Sequence, residues 1–374
     1  MTSQDDADRP PAAYDGAAGI RVDLLPAPPL RLHAGGFVRV DANSPAHRHG
    51  GRLHLFFSHY QPIGHSYRRV GADLATLGPP EAVRLAGDDT PDVGKWIEAT
   101  WRDPAGRLYG WYHAEVPVGS PRLFVPHLGA IVSGDDGATW RFLGTLLRAP
   151  DALTDSGFRN GFLAGGYGDP CVLPDRAGQY FYIYCGSYIA DEALQGVVAL
   201  RYPVAARDDP AGAVQAWRGG AWRPLADGLP TPFLPVERGW RHRDPCAFWG
   251  PAIHYNRHID RFVMLLNRTA HGEGDMRQEG IYAAFNPRLD DPAGWSAPVC
   301  VMKGGGWYPQ VIGLGRDDGD TAAGAAARFF FCGFSAWLIH FERTAAPAGA
   351  PRPPRIDDGA FEALFGRPGK GIVS

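Results

Sequence analysis

Residues 168–188 read GDPCVLPDRAGQYFYIYCGSY, and the way this stretch divides decides the fold. Gly168-Asp169-Pro170 opens a short apolar run, and Arg176-Ala177-Gly178 makes a turn. The segment 180–188 then follows, aromatic and rich in strand-favouring side chains. The unit is a hairpin whose first strand begins at a carboxylate. Four further stretches keep the same order of parts. Asn43-Ser44-Pro45 leads through Gly50-Gly51-Arg52 into 53–59, and Trp96-Ile97-Glu98 through Pro104-Ala105-Gly106 into 108–115. Trp249-Gly250-Pro251 leads through 256–260 into 262–268, and Tyr308-Pro309-Gln310 through a loop rich in Gly and Asp into 328–337. Successive units lie roughly 55 to 80 residues apart, longer than the ~40–45 of compact propeller repeats. The surplus belongs in loops.

Each unit continues into at least one more strand, as at 129–132, 196–202 and 280–285. One small sheet cannot bury both of its faces alone, so repeated sheets stack around a central channel lined by their first strands. The expected architecture is therefore all-β, a five-bladed β-propeller in a single domain. It divides into an N-terminal arm, partly irregular (1–35), the propeller (36–343), and a C-terminal segment that closes or packs on it (344–374). The stretches 78–92 and 207–220 read as surface loops. A β-sandwich of this length would not explain polar residues recurring at the same place in each unit.

Composition agrees with many short strands and many turns. The 374 residues include 49 Gly and 34 Pro spread along the chain, and 45% are hydrophobic. A formal net charge of −3 supplies no basic field for nucleic acid or acidic membranes. No apolar run reaches the length of about 18 residues that spans a bilayer. Residues 1–19 are acidic and rich in Pro and Ala, unlike a signal peptide. The five cysteines have no CxxC spacing and are odd in number, which reads as free thiols in a cytoplasmic protein. No cofactor is expected, and no ligand spacing demands a metal, although a structural or channel ion is left open. Oligomeric state is also left open.

Ser133, Asp135, Gly137, Thr139 and Trp140 fit the S-x-D-x-G-x-T-W pattern of an Asp box, a hairpin turn found at the outer edge of propeller blades. Its role is structural. The chemistry is expected at the strand starts, which carry Asp41, Glu98, Asp169 and Asp244. Singly, each is an ordinary turn-capping or solvated acid. Their recurrence suits glycosidic cleavage, in which one carboxyl is protonated and a second ionised. A third carboxylate nearby raises the pKa of the acid. Candidate substrate contacts are Asn43, His47, His65, His113, Arg159, Trp249, Glu279, Trp307, Tyr308 and Gln310. Trp307 and Tyr308 follow Gly304-Gly305-Gly306, which suits stacking on a sugar face or packing between blades.

Gly168-Asp169-Pro170-Cys171-Val172 followed by 178–184 resembles the strand pairs of the five-bladed glycoside hydrolases, the arabinanases, β-xylosidases, α-L-arabinofuranosidases and invertases. Asp41-Ala42-Asn43-Ser44-Pro45 is similar to their first-blade segment, and Trp249-Gly250-Pro251-Ala252-Ile253-His254 to the strand after their general acid. The resemblance covers about 36–343 and implies carbohydrate as substrate. It implies Asp41 as base or nucleophile and Asp169 as the group that tunes the acid. That family places a Glu directly before Gly-Pro, where this chain has Trp249. The acid role then falls to Glu98, the only Glu at a strand start, with Asp244 as the spare for the acid or tuning role. Three other readings stand beside hydrolysis. One is a non-catalytic carbohydrate-binding propeller. Another is a glycoside phosphorylase using Arg159, Arg241 and Arg243. The third is a sialidase-like enzyme drawing on those arginines and Arg68.

Overall fold

The strand Arg52–His59 is buried at every residue after Arg52, and Tyr180–Ser187 is nearly as covered. Strands apolar on both faces need a neighbour on each side, and five sheets arranged in a ring meet that demand. The computed structural model describes residues 13–15, 19–33, 39–59, 64–269, 277–344 and 355–356.

In hydrogen-bonded order, blade one is Ala46–His49, Arg52–His59, His65–Gly71 and Glu81–Ala82. Blade two is Gly94–Arg102, Leu108–Val118, Ser120–Ser133 and Thr139–Leu147, with Arg84–Ala86 added in parallel outside. Blade three begins Tyr167–Pro174, Tyr180–Ser187, Gly196–Pro203 and ends in the hairpin Gln215–Arg218, Ala221–Pro224. Blade four is Phe248–Asn256, Arg261–Thr269, Gln278–Asn286 and Val299–Gly304. Blade five runs Gln310–Gly313, Ala326–Phe331, Phe334–Arg343, Ile20–Arg31 and Ala13–Asp15. The first strands follow one another around the centre in blade order. Each pair of neighbouring blades shares an apolar cluster. Phe56 meets Ile131 and Trp140 between blades one and two, and Trp111 meets Val198 between two and three. Tyr184 meets Met264 between three and four, Val263 meets Phe329 between four and five, and Phe330 meets Leu55 between five and one. The core is thus five interfaces, which is the radial packing that a propeller needs.

The fold is the expected one, with local corrections. Ile20–Arg31, inside the stretch read as an arm, is a twelve-residue strand of blade five. The C-terminal stretch is described at residues 344 and 355–356, where Arg355–Ile356 pairs with Lys303 and Gly304. The single strand expected at 328–337 is two strands, because Cys332 and Gly333 take φ of 47° and 68° and turn the chain tightly. Stretches 78–92 and 207–220, read as loops, hold short outer strands, Glu81–Ala82, Arg84–Ala86 and Gln215–Arg218. Outer strands lie farthest from the core, so little apolar pattern marks them.

Candidate active site

The first strands of blades two, three and four are interrupted at the same level. Pairing slips between Ile97 and Ala99, between Gly168 and Cys171, and between Trp249 and Ala252. Each bulge leaves residues outside the ladder and re-aims a side chain. In blade two that residue is Glu98, and in blade three Asp169, held at φ 54°. In blade four the place is taken by Gly250-Pro251, with Gly250 at φ 58°. Aspartate tolerates this left-handed conformation better than most side chains.

The two bulged acids meet at the centre. One ligand-type atom from each of Glu98, His113 and Asp169 lies within 4.8 Å of the others, so these three are also the groups that could hold a cation. Nδ1 of His113 donates to Glu98, whose other oxygen accepts from the amide of Asn43 at 3.4 Å. Nε2 of His113 lies 3.8 Å from Glu115, and the imidazole lies flat on Trp96, 4.9 Å between centroids. Burial alone would lower the pKa of His113, but the Glu98 carboxylate and the bonds to Glu115 and Glu98 hold it well above its usual value. The imidazole stands between two carboxyls. Asp169 accepts from the hydroxyl of Tyr188 and from that of Tyr308.

Every bulged carboxyl is harder to ionise than in water. Burial, offset by His113, brings Glu98 to about 7. Burial also raises Asp169, against the pull of His113 and the Tyr188 bond. Half-buried Asp41, whose amide donates to the Ser58 carbonyl at 2.9 Å, is pushed up to about 8. Burial is the larger cause, and the charges of Glu115, Asp169 and Glu98 add to it while His113 opposes. Glu98, Asp169, Asp41 and Glu115 therefore share one field of charge around His113. At neutral pH the group can hold a proton on one acid and a charge on another.

The candidates read from sequence divide cleanly. Asp41, Glu98, Asp169, His113 and Tyr308 come together, with Asn43 behind Glu98. Trp249 is buried against Trp240, Trp307 and Tyr308, so it backs the site and has no face free for sugar. Gln310 uses both ends of its amide on the backbone of Ser44, at 2.5 and 2.9 Å, which makes it a clasp between the first and last blades. Asp244 lies elsewhere, paired with Arg238 at 2.8 Å. Glu279 is paired outward with Arg268 at 2.7 Å and Tyr282 at 2.7 Å. His65 and Arg159 are exposed, on the third strand of blade one and on the loop before blade three. His47 sits farther down the first strand, bonded to Thr100 and Arg102 at 3.2 and 3.3 Å, and burial drives it to about 3. Glu115 and Tyr188 were missed. Glu115 is two residues from His113 on one strand, so strand alternation puts both on one face. Tyr188 closes the aromatic run that follows Asp169.

A cavity of about 390 Å³ lies elsewhere, lined by Arg107, Ser133, Asp135 and Trp140. It marks the hairpin of blade two, where Ser133 Oγ accepts from Gly137 N (2.9 Å) and Asp135 from Thr139 N (2.8 Å). The site is placed at the carboxyls because the titratable groups converge there.

No protein-family model and no curated protein matches the chain. Among solved structures it is similar to a putative exo-β-1,3-galactanase from Bifidobacterium bifidum, at 14% identity and TM-score 0.50 over 87% of this chain and 95% of that one. That likeness is one of fold. Two others align less closely. One is a native arabinanase from Bacillus subtilis, at 13% identity and TM-score 0.48 over 81% of this chain and 94% of that one. The second is an α-L-arabinofuranosidase from Fusarium graminearum, solved with an iminosugar inhibitor, at 11% identity and TM-score 0.48 over 84% of both chains. Among the described residues no helix is long and apolar enough to cross a membrane.

Proposed function

We propose that the chain is a glycoside hydrolase acting on a neutral glycan at the axis of the propeller. The observation that carries this reading is the convergence of Glu98, Asp169 and His113 within 4.8 Å, with Asp41 in the same field of charge. Glycosidic cleavage needs a proton for the departing oxygen and an ionised carboxylate at the anomeric carbon or on the attacking water. The role of acid suits Asp41, which holds its proton to about pH 8 and, unlike Glu98 and Asp169, is only partly buried. Asp169, whose carboxylate two phenols support, suits the base or nucleophile. Glu98 is engaged by His113 and Asn43 and suits the role of tuning and orienting. This exchanges the roles expected for Asp41, Glu98 and Asp169. The reason is the bonding of Glu98, whose two oxygens are held by His113 and the Asn43 amide, which leaves it poorly placed to reach a leaving group. In the step itself, the Asp41 proton goes to the glycosidic oxygen as the bond to carbon breaks. Asp169 takes the proton of the attacking water or bonds to the carbon.

Neutral substrates fit the charge, since the carboxyls outnumber the one imidazole and any that ionises repels an acidic sugar. Arg68, needed for a sialidase-like reading, is bound to Glu81 at 2.8 Å on the outside of blade one. Of the arginines suggested for phosphate, Arg241 is paired with Asp155, and Arg159 and Arg243 are exposed. The Bifidobacterium neighbour is named as acting on a β-1,3-galactan, an analogy of fold that fits a neutral glycan. A cytoplasmic location goes with five free thiols. A second reading, a sugar-binding propeller without turnover, is favoured by Trp249 standing where an acid was expected. The test is hydrolysis of aryl glycosides and neutral polysaccharides, with and without phosphate. Turnover lost in Asp169→Asn supports the hydrolase, and saturable binding without turnover supports the binder.

A further inference from the structure

Phe162 is one of two large apolar side chains exposed among the described residues, at 37%, yet its backbone is firmly held. Its amide donates to Oδ1 of Asn160 at 2.8 Å, and its carbonyl accepts from Phe124 N at 2.8 Å. The next amide, Leu163 N, donates to the same Oδ1 at 2.7 Å, and Ala164 N to the Phe124 carbonyl at 2.8 Å. Asn160 is fully buried, and its Nδ2 donates to the carbonyls of Leu163 and Trp240 at 3.0 and 2.5 Å. Three of the four hydrogen-bonding positions of the side chain serve the loop, and the fourth ties it to Trp240. An apolar ring left in water on a segment pinned this way is presented to something.

What it faces points to the ligand. The Phe162 ring meets Trp307 at right angles, 6.0 Å between centroids. Trp307 is half-buried and packs on Trp249 at 5.6 Å. Its chain neighbour Tyr308 donates to Asp169. Phe162 comes from the connection between blades two and three, and Trp307 from that between blades four and five. Two connections from different sides of the ring thus build one aromatic corner next to the carboxyls. Of the nearby residues, Arg159 and Gly161 are exposed without apolar bulk, and the apolar Leu163 is buried. The apolar surface is confined to two rings, which suits one sugar face and falls short of a protein interface.

We infer that Phe162 and Trp307 form a second sugar subsite, holding the ring next to the one at the carboxyls, so that the protein selects neutral oligosaccharides over single sugars. This rests on the glycosidase reading for its substrate class. The test is calorimetry on the full chain carrying Asp169→Asn, since Asn accepts the left-handed backbone there. The probes are mono-, di- and trisaccharides of arabinose, xylose and galactose. The accepted trisaccharide binds more tightly than its monosaccharide, Phe162→Ala cuts that affinity ratio about tenfold, and Phe162→Tyr restores it. An unchanged ratio in Phe162→Ala overturns the subsite, and so does absence of binding by all three series. Hydrolysis is scored separately on the native chain, so failed turnover with a Phe162-dependent ratio counts against the hydrolase reading alone.

Discussion

Asp41 is the residue on which the chemistry turns, because one carboxyl has to keep its proton at neutral pH. As the acid, it makes kcat/KM on an unactivated glycoside fall as pH rises through about 8, and Asp41→Asn removes that limb. The same change lowers kcat on an unactivated glycoside by about 10²–10⁴. On a dinitrophenyl glycoside, whose leaving group needs no proton, the loss is much smaller. Equal losses on both substrates would return Asp41 to the role of base. The raised pKa also has a cost in stability. A carboxyl moved from 3.8 to about 8 favours folding fully below pH 4, and that contribution disappears as pH rises to 8. Thermal melts of the native chain and Asp41→Asn therefore separate at pH 8 to 9, with the variant higher, and converge near pH 4. Tyr188→Phe removes a donor to Asp169 and moves the acid limb of the pH profile upward.

At the scale of elements, the site is a consequence of bulges. Glu98 and Asp169 leave their ladders at the same level in adjacent blades, which is why acids far apart in sequence converge. The repeat of polar start, turn and aromatic strand was legible because those strands are buried on both faces and their composition is forced. Asp41, Glu98, Asp169 and His113 were legible for the same reason, as polar residues at places the core otherwise claims. Asp244 was misleading because Asp before Pro is also a turn signal, and here it pairs with Arg238 in a loop. Trp249, offered as a substrate contact, is buried behind the site because a place at a strand start beside Gly-Pro does not reveal whether a ring is exposed. Glu115 escaped because it sits on a second strand, where no repeated motif calls attention to it. The roles of acid and base were not legible, since they depend on which oxygens the protein already occupies. The hairpin of blade two offers a test of packing. Gly137 has φ 82°, and a Cβ there would clash with the Phe56 ring. Gly137→Ala should cost about 1–3 kcal/mol in urea unfolding, whereas Gly178→Ala, whose Cβ meets nothing within 4 Å, should cost less.

The whole molecule is a ring that has to be closed, and two devices close it. Ile20–Arg31 completes blade five from the start of the chain. Gln310 binds both backbone groups of Ser44, joining the last blade to the first beside Asn43 and Glu98. Gln310→Ala leaves a buried N–H and carbonyl without partners, at about 1–3 kcal/mol, and lowers Tm. It also loosens Asn43 and weakens catalysis without touching an acid. Closure and chemistry are linked because the clasp and the carboxyls sit at the same end of the channel. The most direct test of the account is steady-state turnover of an aryl glycoside panel by the native chain and by Asp169→Asn, both verified as folded. Hydrolysis by the native chain and a loss of at least about a hundredfold in the variant are expected. Turnover unaffected by Asp169→Asn, or none on any neutral glycoside, would contradict the account.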